Sequence, residues 1–86
     1  MSAAVQIYSR DFDADFFKLP TDLQSRLQTS IDRLGMTLGS FSHHRMKGVD
    51  AYRIRVGDYR IIYNFDIPKG ILHLLAVGHR SEVYRK

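Results

Sequence analysis

Apolar and polar positions along this chain change period twice. In AVQIY, Val5 and Ile7 alternate with other residues and share one face, as in a short strand. In SRDFDADFFKLP, Phe12, Phe16 and Leu19 recur at steps of four and three, which is helical spacing, with Ser9 or Asp11 placed to cap the helix. Pro20 disfavours helical backbone at the residue before it and should end that helix. Thr21 then opens a second one: TDLQ has the form of a capping box, with Thr21 at the cap and Gln24 three residues on. Leu23, Leu27, Ile31, Leu34 and Leu38 follow at steps of three and four, an amphipathic helix of about four to five turns. Gly35 weakens its end and Gly39 stops it. The polar, basic stretch SFSHHRMKGVD, residues 40–50, reads as a loop. Three β-rich runs complete the chain: AYRIRV, YRIIYNF and ILHLLAV. Gly57-Asp58 joins the first two as a two-residue hairpin turn, and DIPKG joins the second to the third. The order is β-α-α-β-β-β. It predicts one α+β domain over residues 1–86, with a helical hairpin packed on a mainly antiparallel sheet.

The Gly57-Asp58 turn fixes a register. Val56 faces Tyr59, Arg55 faces Arg60, Ile54 faces Ile61 and Arg53 faces Ile62. Alternation then puts Tyr52, Ile54, Val56, Tyr59, Ile61 and Tyr63 on one apolar face, which should meet the helices. The other face carries Arg53, Arg55 and Arg60 beside Ile62 and Asn64. Arg55 and Arg60 are a directly opposed pair of like charge, an arrangement that destabilises a sheet. The strands hold no carboxylate to balance it, since Asp58 lies in the turn and Asp66 at the far end. A solvated sheet face tolerates such a pair through screening. A converged arginine cluster is also suited to holding a phosphate through paired hydrogen bonds, and that reading is the stronger one.

Charge sharpens the picture. The chain has 86 residues and a net charge of +4. Residues 1–42 hold four Lys/Arg and five Asp/Glu, a net −1, while residues 43–86 hold nine and four, a net +5. A basic C-terminal half points to a polyanionic or acidic partner. There is no cysteine, so neither disulfides nor thiolate metal sites support the fold. The N-terminus has no long apolar run, which argues against a signal peptide or membrane span and for a cytoplasmic protein.

Beyond the last strand, the tail GHRSEVYRK brings His79, Arg80 and Tyr84 toward the sheet edge, where an arginine group with a tyrosine and a histidine can bind phosphate, stack on a base and handle protons. Other candidates are weaker. His43 and His44 point opposite ways if extended and lack a third ligand, so a solvated loop is expected rather than a metal site. Within that loop, Arg45 and Lys47 are candidate contacts to RNA phosphates. Asp11, Asp13 and Asp15 are splayed by a helix and read as N-terminal helix charges. Phe12, Phe16 and Phe17 read as core.

The pair of segments YRIRVGDYRIIY and LLAVGHRSEVYR resembles the RelE/ParE superfamily of toxins from type II toxin–antitoxin systems. The likeness is strongest from Met46 to Arg85. It implies the RelE-like microbial ribonuclease-type fold, in agreement with the layout above. RelE-like members cut messenger RNA in the ribosomal A site, whereas ParE-like members inhibit DNA gyrase. The resemblance matches Arg53 and Arg55 to a basic pair on the first hairpin strand, where RelE-like members have lysines. It matches Arg60 to an arginine on the second strand, Arg80 to one after the last strand, and Tyr84 to a C-terminal tyrosine. These matches favour the ribonuclease branch: attack of the RNA 2′-hydroxyl on the adjacent phosphate, with no cofactor and no metal. Arginine stays protonated and is a poor general base; some relatives use a histidine or glutamate, which makes His79 the reserve general base. The implied partners are the 70S ribosome with its mRNA and a cognate RelB-like antitoxin whose extended segment wraps the basic groove. Contact with DNA would come only through the antitoxin complex, and no membrane is implied. Gyrase inhibition and non-catalytic RNA binding are the alternative functions.

Overall fold

Ser9 joins the first strand, the first helix and the last strand. The computed structural model describes residues 3–81, and in it β1 (Val5–Tyr8) runs directly into α1 (Arg10–Phe16). The Ser9 hydroxyl oxygen accepts from the Phe12 backbone N–H at 3.0 Å, capping α1, and donates to the Leu75 carbonyl at 2.7 Å. The Ser9 N–H donates to the Leu74 carbonyl at 2.9 Å. Leu75 is the extra residue of a β-bulge, so the hydroxyl serves a carbonyl at the point where the ladder is irregular. Phe12 and Phe16 stack with centroids 5.4 Å apart and are buried. Phe17, expected in the core with them, points out and is 69% exposed because it lies one position off the helix's apolar stripe.

Helix α2 (Thr21–Met36) starts differently from the expected capping box. Pro20 holds the cap position, with φ −58° and ψ 147°. The helix therefore begins one residue earlier than the box implies, with Thr21 inside its first turn and Gln24 no longer at the third helical position. Gln24 instead donates its side-chain amide back to the Leu19 carbonyl at 2.9 Å. Leu27, Ile31 and Leu34 are buried along the helix, and Leu38 is buried just beyond it.

The sheet has five strands in the order β1-β5-β4-β3-β2. Its members besides β1 are β2 (His44–Arg45), β3 (Tyr52–Val56), β4 (Tyr59–Asp66) and β5 (Ile71–His79). β1 pairs parallel to β5 and all other pairs are antiparallel. The expected hairpin register is the one found: Val56–Tyr59, Arg55–Arg60, Ile54–Ile61 and Arg53–Ile62. Gly57 has φ +60°, while no described non-glycine residue has positive φ. A turn with glycine first and an ordinary second residue matches the right-handed twist of the strands. Ile61, Tyr63, Leu72, Leu74 and Val77 form the core under the helices, with Tyr52, Ile54, Val56 and Tyr59 packed beside them. A small cluster of Ala51, Ile62, Met46, Leu75 and Ala76 is separate from that core.

Residues 40–50, expected as a solvated loop, contain β2 and a half-buried anchor. Nε2 of the His43 ring lies 2.8 Å from the Leu38 carbonyl, which only accepts, so Nε2 carries the proton. Nδ1 is then the acceptor for the Tyr63 hydroxyl at 2.7 Å. The ring stacks on Phe65 at 4.1 Å and meets Tyr52, Tyr63 and Phe41 edge-on. His43 thus ties the end of α2 to the middle of the sheet and delivers the next residue, His44, to β2. Among the described residues no helix is long and apolar enough to cross a membrane.

Two outcomes follow from these anchors. Ser9→Ala removes the cap of α1 and the hydroxyl that donates to the Leu75 carbonyl, so urea denaturation should show a loss of about 1–2 kcal/mol. Burial, with a smaller contribution from Tyr52, pushes the Tyr63 phenol up from its ordinary 10 to about 12. A folded-state value raised above the unfolded one stabilises fully below pH 10 and is lost as pH rises through 12. Stability measured against pH should therefore fall in that window, and Tyr63→Phe should flatten the fall while costing about 1–3 kcal/mol at neutral pH, because His43 loses its donor.

Candidate functional site: an arginine groove at the edge of the sheet

Three arginines meet on the sheet face opposite the helices because the strand period is two and the hairpin register is fixed. Arg53 and Arg55 project from β3, and Arg60 projects from β4 directly across from Arg55. On the other side, Arg60 faces Gly78 of β5, so no side chain from that strand competes for its space. Arg60 is half-buried and donates to its neighbour's carbonyl, Tyr59 O, at 3.3 Å; Arg53 and Arg55 are exposed. Among the described residues none of the three has an acidic partner.

β2 is two residues long and pairs with Tyr52 and Arg53, so among the described residues the edge of β3 is open from Ile54 onward. A groove of about 450 Å³ lies at this opening, lined by Phe41, His44, Arg53, Ile54, Arg55 and Arg60. A second groove, about 510 Å³, adjoins it on the α2 side. It shares Phe41, Ile54 and Arg55, and adds Arg33 with the hydroxyl residues Ser30, Thr37 and Ser40. Clustered guanidiniums without counter-charges favour an anion that accepts paired hydrogen bonds, as a phosphodiester does. An exposed aromatic beside them can stack on a base.

The remaining candidates fall in different places. Arg80 is exposed, and its N–H donates to the Asp58 carbonyl at 2.8 Å, which holds it at the hairpin turn, outside the groove lining. His79 pairs across from Tyr59 and meets that ring edge-on at 5.6 Å. Alternation puts it on the helix side of the sheet, away from Arg60 and Gly78. Its Nδ1 is occupied by Ser81, accepting from the backbone N–H at 3.2 Å with the hydroxyl at 2.9 Å. Tyr84 lies outside the described residues. Arg45, opposite Tyr52, pairs with Asp50 at 3.5 Å; both are well exposed, so the pair contributes little. Lys47 is exposed in the turn after β2.

His44 and Phe41 line the groove although sequence patterning set neither there. A two-residue strand is too short to show alternation, and its only signal is the pairing of His44 with Arg53, a tertiary fact.

The family model of the ParE toxin of type II toxin–antitoxin systems, parDE, matches residues 7–84. No curated protein sequence matches the chain. Among solved structures, a chain of the RelBE2 toxin–antitoxin complex from Mycobacterium tuberculosis is 21% identical, with 95% of this chain and 97% of that one covered and a TM-score of 0.75. The isolated RelE toxin of Escherichia coli is 22% identical over 96% and 93% of the two chains, with a TM-score of 0.75. A chain of the archaeal RelE–RelB complex from Pyrococcus horikoshii is 22% identical over 95% and 100%, with a TM-score of 0.76. At these identities the structural likeness is one of fold. The family match spans nearly the whole sequence, and the chain belongs to the ParE toxin family of type II toxin–antitoxin systems, within the RelE/ParE superfamily.

Proposed function

We propose that this toxin is a ribosome-dependent endoribonuclease that cuts mRNA in the A site, with the scissile phosphate held in the arginine groove. The observation that carries the reading is the unbalanced cluster of Arg53, Arg55 and Arg60. An opposed like-charge pair costs stability, and an anionic substrate is what offsets that cost. RNA supplies its own nucleophile: the 2′-oxygen attacks the adjacent phosphorus and the 5′-oxygen leaves, so no metal-activated water is required. Arg60, which is half-buried, stabilises the charge that gathers on the phosphoryl oxygens. Arg53 and Arg55 grip the phosphate, and Phe41 offers a stacking surface to a flanking base. In this reading Arg80 approaches from the hairpin turn, Tyr84 reaches the substrate base, and Arg45 and Lys47 contact ribosomal RNA phosphates. The ribosome contributes alignment, which a site with few proton-transfer groups needs.

A cognate antitoxin is the second proposed partner. Several of the similar solved structures, those from Mycobacterium tuberculosis and Pyrococcus horikoshii among them, are complexes of RelE with RelB or of RelBE type. A basic groove open along a sheet edge suits an extended, partly acidic segment that orders on binding. Gyrase inhibition is the competing reading, and the match to the ParE family supports it.

Adding the protein to a purified translation system with a defined mRNA, and mapping 5′ ends, separates the two. Codon-internal cuts that need ribosomes are expected. No cuts, together with loss of gyrase supercoiling activity, would overturn the nuclease. Arg60→Ala should lower cleavage by about 10²- to 10³-fold with the melting temperature unchanged. Arg55→Thr should separate stability from activity: about 0.2–1 kcal/mol more stable in urea, because the like-charge pair is gone, yet about 10²-fold slower in cleavage.

A further inference from the structure

The groove holds three guanidiniums that cannot accept a proton, and the proposed reaction must take one from the 2′-hydroxyl. Imidazole is the side chain suited to that exchange near neutral pH. The chain has four histidines. Both ring nitrogens of His43 are engaged, by Tyr63 and the Leu38 carbonyl. His73 lies between Ile7 and Asn64, at the far end of the sheet from the turn. His79 lies on the helix side with Nδ1 taken by Ser81. His44 alone lines the arginine groove, and its ring has no hydrogen-bond partner among the described residues.

Resting on the nuclease reading above, we propose that His44 is the catalytic proton acceptor of this site. His44 is the cross-strand partner of Arg53, which places their Cβ atoms roughly 4.5–5.5 Å apart on one face. A phosphate gripped by Arg53 and Arg60 therefore brings its neighbouring ribose within reach of the imidazole. The free ring nitrogen takes the 2′ proton as the O2′–P bond forms and the P–O5′ bond breaks. The leaving 5′-oxygen gains a proton from solvent, and the imidazolium returns its proton to solvent, so the proton count is unchanged. The products are a 2′,3′-cyclic phosphate and a 5′-hydroxyl. Among the described residues, the charged groups that line the groove with His44 are Arg53, Arg55 and Arg60, while the neighbouring Arg45 pairs with Asp50. His43, clamped to Tyr63 and Leu38, sets the backbone from which His44 projects, and acts as a positioning residue.

The test compares wild type and His44→Ala in the programmed-ribosome assay from pH 5.5 to 8.5, with binding measured on mRNA carrying a 2′-deoxy substitution at the cleavage site. His44 is exposed on a two-residue strand, so the variant should keep its melting temperature. Cleavage should fall by about 10²- to 10⁴-fold, binding should stay within about twofold, the ascending limb of the pH–rate profile should vanish, and added imidazole should restore part of the rate. Wild-type cleavage with His44→Ala unchanged in rate and pH profile would overturn the assignment while leaving the nuclease standing. A loss matched by equally weakened binding, with the pH profile retained, would overturn it as well. No cleavage by folded wild-type protein would remove the nuclease reading and this one with it.

Discussion

Most of this molecule depends on the register of one hairpin. A two-residue turn with glycine at positive φ permits a single pairing of β3 with β4, and a slip by one residue would exchange the two faces. In the observed register the apolar residues meet α1 and α2, and the arginines have nowhere to go except the opposite face. Burial of Ile61 and Tyr63 thereby holds Arg55 against Arg60. Hydrophobic burial is the larger effect: a fully buried side chain of this size contributes about 1.5–3 kcal/mol, against about 0.2–1 kcal/mol for a like-charge cross-strand pair. The core can therefore impose a charge arrangement that the surface alone would not adopt.

The second constraint is the clamp at His43. β2 is too short to hold itself in place. It is secured by a ring that bonds both the end of α2 and a buried tyrosine, and that stacks among Phe41, Tyr52, Tyr63 and Phe65. Because β2 stops after two residues, the edge of β3 stays open, and two grooves meet there. A longer β2 would have covered the groove that the arginines line. The site is thus made as much by the strand that ends early as by the residues that line it.

The relatives share a fold at about one-fifth identity, and a fold of this kind carries more than one chemistry. In this chain the frame presents Arg53, Arg55 and Arg60, without an acidic partner among the described residues, with a histidine and an aromatic beside them.

The elements were legible from periodicity. Both helices, the three long strands and the hairpin register could be derived from the sequence, because periods of 3.6 and 2.0 and a Gly-Asp turn are local signals. Arg53, Arg55 and Arg60 came with them, as the residues left over once the apolar face was assigned. The start of α2 differed because Pro20 took the cap position, which moved Thr21 into the first turn and Gln24 out of register for a capping box. Phe17 differed because an adjacent phenylalanine shares composition with the core but not its face. What only the tertiary structure decided was the role of each histidine. Whether an imidazole is clamped, turned toward the helices or set beside arginines depends on strand pairing and on a bulge between residues far apart in sequence. Sequence spacing carries the direction of a side chain within an element, and only the packing of elements decides what that side chain faces.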